Sequence, residues 1–223
     1  MRRAFRTLCL AAMLGATVAT TALAVTPPPG TPDLSQMTIQ AADLLPGAKL
    51  GTEGYITPPS GVVADFSREW RPAVTAAGVR LELAGTAVLL LPTAANAATV
   101  LAGLQRIFGS KADRPLVARL FTQGTQSRIK PKQIAFGHVR SVAIGDGAFV
   151  LPLTVHDGGH SFAVDLYEVR VSDVVAENVI IAGHRKAAAK GGHELTVDVA
   201  ANIQSVLAAT GTTGQTGPTG PTS

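Results

Sequence analysis

The residues best suited to chemistry in this chain are His156 and His160, which bracket Asp157-Gly158-Gly159. An Asp-Gly-Gly triplet between two alternating apolar runs is a hairpin turn. A three-residue loop would oppose the two imidazoles directly, with Cβ atoms about 5 Å apart, on the face away from Phe149, Leu151 and Leu153. Imidazoles at that distance can share a metal ion, so His156 and His160 are the candidate metal ligands. Zinc, however, takes three or four ligands. Asp157 sits too tightly in the turn to be the third, and His138, His184 and His193 follow no ligand spacing. The residues therefore favour a solvent-exposed polar turn. No catalytic residue, cofactor or complete metal site is assigned.

Other motifs are weaker. Ser127-Arg128-Ile129-Lys130 matches the Ser-x-x-Lys pattern of penicillin-recognising enzymes. That motif works only on a helix, Pro131 disfavours the helical region at Lys130, and the Lys-Thr-Gly companion is missing. Gly145-Asp146-Gly147 reads as a turn, without the third glycine and following helix of a phosphate loop. There is no Gly-x-Ser-x-Gly elbow, His-Glu-x-x-His helix or calcium loop. The carboxylates are scattered, and no two are placed face to face, so glycosidase chemistry has no support. Trp70, with Arg68 and Arg71 beside it, offers a surface anchor, but tryptophan packs half-buried more often.

The elements that must position these residues follow from two periods. Ile39 to Leu45 reads as a short helix stopped by Pro46-Gly47, and Leu50 to Ile56, Val62 to Trp70 and Val79 to Leu91 read as extended. Thr93 is a helix N-cap, followed by Ala97, Val100, Leu101, Leu104, Ile107 and Phe108 at helical spacing. A second helix spans about 112–122, and residues 124–132 form a loop. The period then becomes two. Strands are expected at Ile134 to Ile144, Phe149 to Val155, Phe162 to Leu166 and Val174 to Ala182, with turns at 145–147, 157–159 and Ser172-Asp173. A last helix carries Leu195, Val199, Ile203, Val206 and Leu207 on one face. The expected class is α+β, an antiparallel meander covered by three to four helices in a single domain.

The chain is 223 residues long, 46% hydrophobic and 15% charged. That apolar content excludes wholesale disorder, and only one stretch approaches membrane-spanning length. Residues 1–24 read as a signal peptide: Arg2, Arg3 and Arg6, an apolar run, then Ala22-Leu23-Ala24 as the cleavage motif. Secretion with cleavage after Ala24 is therefore expected, and no stable membrane insertion after it. The mature chain would hold no cysteine, because Cys9 is the only one. Of the 19 basic residues, 16 remain after the leader against 15 acids. That balance gives no basic face for nucleic acid. Residues 25–33 form a Pro-rich linker, 34–209 the globular domain and 210–223 a Gly-x-y tail, a spacer or a short collagen-like repeat.

The plan resembles secreted domains of actinobacteria. The matching features are the segment Ala41-Ala42-Asp43-Leu44-Leu45-Pro46-Gly47, a helix pair mid-chain, a late antiparallel meander with the turn Gly145-Asp146, and a closing helix from Leu195 to Leu207. It is similar to the extracellular sensor domains of actinobacterial Ser/Thr kinases and to related envelope lipoproteins, whose folds are like that of the photosystem-associated PsbP proteins. The likeness covers most of residues 35–208. The chain differs in having no disulfide cysteines, no lipobox and no kinase region. What the resemblance implies is the fold; the reading as a whole is a secreted, monomeric, non-enzymatic binding module of the cell envelope, its ligand or protein partner unknown. The alternatives are a secreted hydrolase of envelope material, using His156 or His160 with Asp165, and a structural subunit held together by residues 210–223.

Overall fold

Strict alternation along the late strands sends side chains into two separate cores. In β9 (His160–Val171), Ala163, Tyr167, Val169 and Val171 enter one core, and Val164 and Leu166 the other. A strand buried on both faces needs helices on both, and the computed structural model, which describes residues 26–124, 129–157 and 159–211, has them. The leader at 1–24, Ser127-Arg128 and the tail beyond Gly211 lie outside the described residues.

Eight strands make one antiparallel sheet. These are β1 (Leu50–Ile56), β2 (Ala64–Trp70), β5 (Leu83–Leu90), β6 (Ile134–Phe136), β7 (Arg140–Val142), β8 (Gly147–Asp157), β9 and β10 (Val174–Ala182). The spatial order is β1-β2-β5-β10-β9-β8-β6, and β7 also pairs with β8. Two residue pairs, β3 (Ala73–Val74) and β4 (Arg80–Leu81), form a small ribbon of their own. Helices α1 (Ala94–Gly109) and α2 (Arg114–Gly124) lie on one side of the large sheet, with Val100, Leu104 and Phe108 packed on Phe149, Leu151 and Leu166. Helix α3 (Arg185–Ala209) lies on the other, with Leu195, Val199 and Ile203 in the core that holds Phe66, Val88 and Tyr167. The α+β antiparallel class is as expected, and β1 and β10 keep the expected bounds.

The differences have physical reasons. The stretch 134–144 is two strands, not one, because both pair with β8 on either side of Pro152, which has no N–H to donate. The stretch 79–91 breaks at Glu82, whose amide leaves the ribbon for the carbonyl of Ile181. Residues 39–45 hold only a 3-10 turn at Ala41–Asp43, and a second one at Leu34–Met37 buries Leu34 and Met37 in the α3-side core. Thr93 caps α1 as expected, its hydroxyl accepting from the amide of Asn96 at 3.1 Å. Trp70 is buried, with its indole N–H on the carbonyl of Ile39 at 3.0 Å.

Helix α3 begins a full ten residues before Leu195. His184 is its N-cap, the ring Nδ1 accepting from the amide of Ala187 at 3.2 Å. Gly191 and Gly192 sit inside the helix, where glycine is ordinarily unfavourable. They permit close approach to the sheet: a Cβ on Gly192 would stand 2.4 Å from Tyr167 Cε2. Beneath this helix, Thr86, Asn178 and Thr196 form a buried hydrogen-bonded chain at 2.7 and 3.2 Å.

Candidate functional site

Helix α3 packs on β9 and β10. On the same face, β8 with its partners β6 and β7 extends beyond it as a shelf. Arg140, opposite Val150 of the α3-side core, shares that face and is exposed. Pro152 and Thr154, next along β8, are half-buried.

The margin between shelf and helix is built by one ion pair. Asp165 lies on the α3-side face of β9, opposite Pro152 on one side and Ile180 on the other, and is fully buried. Arg185, in the first turn of α3, reaches across to it. Its guanidinium donates to Asp165 Oδ1, to the carbonyls of Leu153 and of Val164 (3.2 Å), and to Thr154 Oγ1 (3.4 Å). Arg185 thereby ties α3 to both β8 and β9. Its side chain stays 40% exposed, so it still presents an edge to the shelf. Asp165 Oδ2 is buried with no hydrogen-bond partner. Burial pushes the Asp165 carboxyl up, against the opposing charges of Arg185 and Arg140. Tyr167 lies one register step along, its hydroxyl donating to the carbonyl of Ala189 at 3.1 Å. Burial, with the charge of Asp165, pushes it up to about 12.

The guanidinium groups of Arg140 and Arg185 thus lie on one sheet face, beside the half-buried Pro152 and Thr154. Guanidinium groups bind carboxylate and phosphate oxygens through paired N–H donors, so the shelf is chemically suited to an anionic group.

The histidines fall differently from the expectation. Asp157 pairs with His160 and His156 with Ser161, so the loop holds two residues rather than three. The imidazoles then alternate to opposite faces of the hairpin. His156 shares the shelf face, with Nδ1 2.9 Å from Ser161 Oγ, and its carbonyl accepts from Gln133 Nε2 at 2.6 Å. Ser161 is four residues from Asp165 along β9, roughly 13 Å. Asp165 is engaged by Arg185, so the acid and the histidines of the hydrolase reading do not converge. Among the described residues, no group of three His, Cys, Asp or Glu is placed to hold a metal ion.

One feature was missed by sequence reasoning. Glu168 and Glu177 stand directly opposite each other on the α1 side of the sheet. Both are buried, and their carboxyls are within hydrogen-bonding reach. Asp65 of β2 is buried on the same side. The expectation that no two carboxylates are face to face is therefore corrected. The signal was present: the two-residue turn at Ser172-Asp173 fixes the register, and Glu168 is in phase with Val164 and Leu166.

No family model matches the chain, and no curated protein matches its sequence significantly. Among solved structures, protein PA94 from Pseudomonas aeruginosa aligns with 77% of this chain and 100% of its own at 12% identity and a TM-score of 0.27. The extracellular domain of PknH from Mycobacterium tuberculosis aligns with 77% of this chain and 97% of its own, at 10% identity and a TM-score of 0.50. The resemblance to kinase extracellular sensor domains is thus one of fold, and it spans nearly the whole of that domain.

Proposed function

We propose that the protein is a non-enzymatic binding module of the cell envelope, secreted by its N-terminal leader, and that the shelf beside α3 receives a small ligand bearing a carboxylate or phosphate. The observation that carries this reading is the pair Arg140 and Arg185 on one sheet face, both with exposed side-chain surface. The fold shared with an extracellular domain supports the setting. No helix among the described residues is long and apolar enough to cross a membrane.

Arg185 is half-committed to Asp165, so it is fixed in position while one edge stays available. Arg140 is free of that duty and would close on the second oxygen of a bound anion. Titration calorimetry with phosphate, pyrophosphate and a dicarboxylate tests the assignment. At least one should bind saturably, and Arg140→Gln should weaken it by about tenfold, the loss of one charge-assisted hydrogen bond. Replacing His156 and His160 by Ala should leave that affinity unchanged. Hydrolysis of an envelope substrate that those two substitutions abolish would favour the hydrolase instead.

A further inference from the structure

The sheet carries a second group of charged residues that the shelf does not use, on its opposite face. Glu168 and Glu177 oppose each other on β9 and β10 beneath α1, which packs on β8, β9 and β10. Their exposures are 1% and 6%, and that of Asp65 on β2 is 1%. Glu168 Oε1, Glu177 Oε2 and both carboxyl oxygens of Asp65 are buried without a hydrogen-bond partner. Asp65 is an independent observation, since it comes from another part of the sheet and has no hydrogen bond to the glutamate pair. Polar groups buried without partners are costly, and ionised ones more so.

Among the described residues, the surroundings supply no compensating cation. On this side β5 presents Ala87 and Leu89, and β8 presents Phe149 and Leu151. The buried positions of α1 are Ala97, Val100, Gly103, Leu104 and Phe108, and its Arg106 is exposed. Glu69, the other acid on this side of β2, is held by Arg71. Arg170 of β9 is turned to Asp146 Oδ2 at 3.5 Å and to the carbonyls of Asp146 and Ser172. Asp173 in the adjoining turn adds another buried oxygen without a partner. On α2, Arg114 lies over the Phe136 ring and donates to the carbonyl of Gly137, and Arg119 is exposed.

We propose that Asp65, Glu168 and Glu177 form a proton-held latch between the sheet and α1. The helical layer packs shut while the carboxyls carry protons and loosens from the sheet when they ionise and must take up water. The helix that must yield is α1, since it covers the glutamate pair, whereas α3 packs on the opposite face of the same strands. Burial, reinforced by the charge of Glu177, raises the Asp65 carboxyl to about 7. Burial raises Glu177 to about 7 as well, and Glu168 well above its ordinary value. Carboxyls raised in this way bind more protons folded than unfolded. Their stabilisation is complete below about pH 4 and is lost as pH rises through about 7.

Hydrogen exchange on the whole protein at about pH 5.5 and pH 8, corrected for intrinsic exchange rates, tests the latch. The amides of α1 should lose protection at least about tenfold more than those of α3. The double substitution Glu168→Gln with Glu177→Gln should shrink the difference severalfold, leaving only the share of Asp65. Equal loss in both helices, or a difference undiminished by the double substitution, would overturn the proposal. If the double variant does not fold, Asp65→Asn alone decides: its α1 loss should be smaller than that of the unaltered protein, and an unchanged loss is a refutation.

Discussion

Arg185 shows how one side chain does two jobs. It neutralises a buried carboxylate and ties three backbones together while keeping an exposed edge. Removing it strands Asp165 without its cation, and a lost partner in a buried pair is strongly destabilising. The 40% exposure of the arginine moderates the effect. Arg185→Ala should therefore lower stability by about 2 kcal/mol, and adding Asp165→Asn should restore part of it; denaturant midpoints of the single and double variants check this. Sequence reasoning identified Asp165 only as a possible partner for a histidine. Its true partner is 20 residues away, and the contact depends on where α3 starts. No local spacing encodes that. The opposed glutamates, by contrast, were within reach of the alternation and the Ser172-Asp173 turn.

The elements were largely readable because most obey one period over many residues. Strands β1 and β10 and the Thr93 cap came directly from pattern and capping chemistry. The failures mark places where a neighbour overrides the pattern. Pro152 splits the strand beside it, and Tyr167 demands a glycine in α3. At the hairpin, the register of β8 on β9 placed His156 opposite Ser161, and one residue of slip separated the proposed metal ligands. Two tests belong here. Gly192→Ala should cost about 1–3 kcal/mol through overpacking against Tyr167, and Tyr167→Leu should relieve much of that cost, as a double-mutant cycle in thermal unfolding would show. At the turn, Gly145 has φ +56°, and a Cβ there would stand 2.5 Å from the carbonyl of Arg170. Gly145→Val should therefore detach the β7–β8 turn from the β9–β10 hairpin and weaken the hydrogen bond from the Asp146 amide to Arg170, read by amide exchange at Asp146.

At the scale of the molecule, the sheet separates the two proposed roles. One face is half-covered by α3 and offers two arginines. The other carries α1 and three buried carboxyls that no cation among the described residues balances. Many proteins are most stable between about pH 5 and 8. Here the buried acids tilt the profile, so global stability should fall from pH 5 to pH 8, and the Asp65→Asn variant should fall less; thermal midpoints across that range measure both. The arrangement also explains why composition said little about function. The balance of 16 bases against 15 acids beyond residue 24 conceals an arginine edge on one face and an acidic interior on the other, and only the topology separates them.

The binding assignment rests on the shelf, and amide chemical-shift mapping during a phosphate titration addresses it most directly. Saturable shifts are expected, confined to β7, β8 around Pro152 and Thr154, and the first turn of α3, all lost in Arg140→Gln. Shifts that are absent, scattered over the surface, or unaltered by that substitution would contradict the assignment.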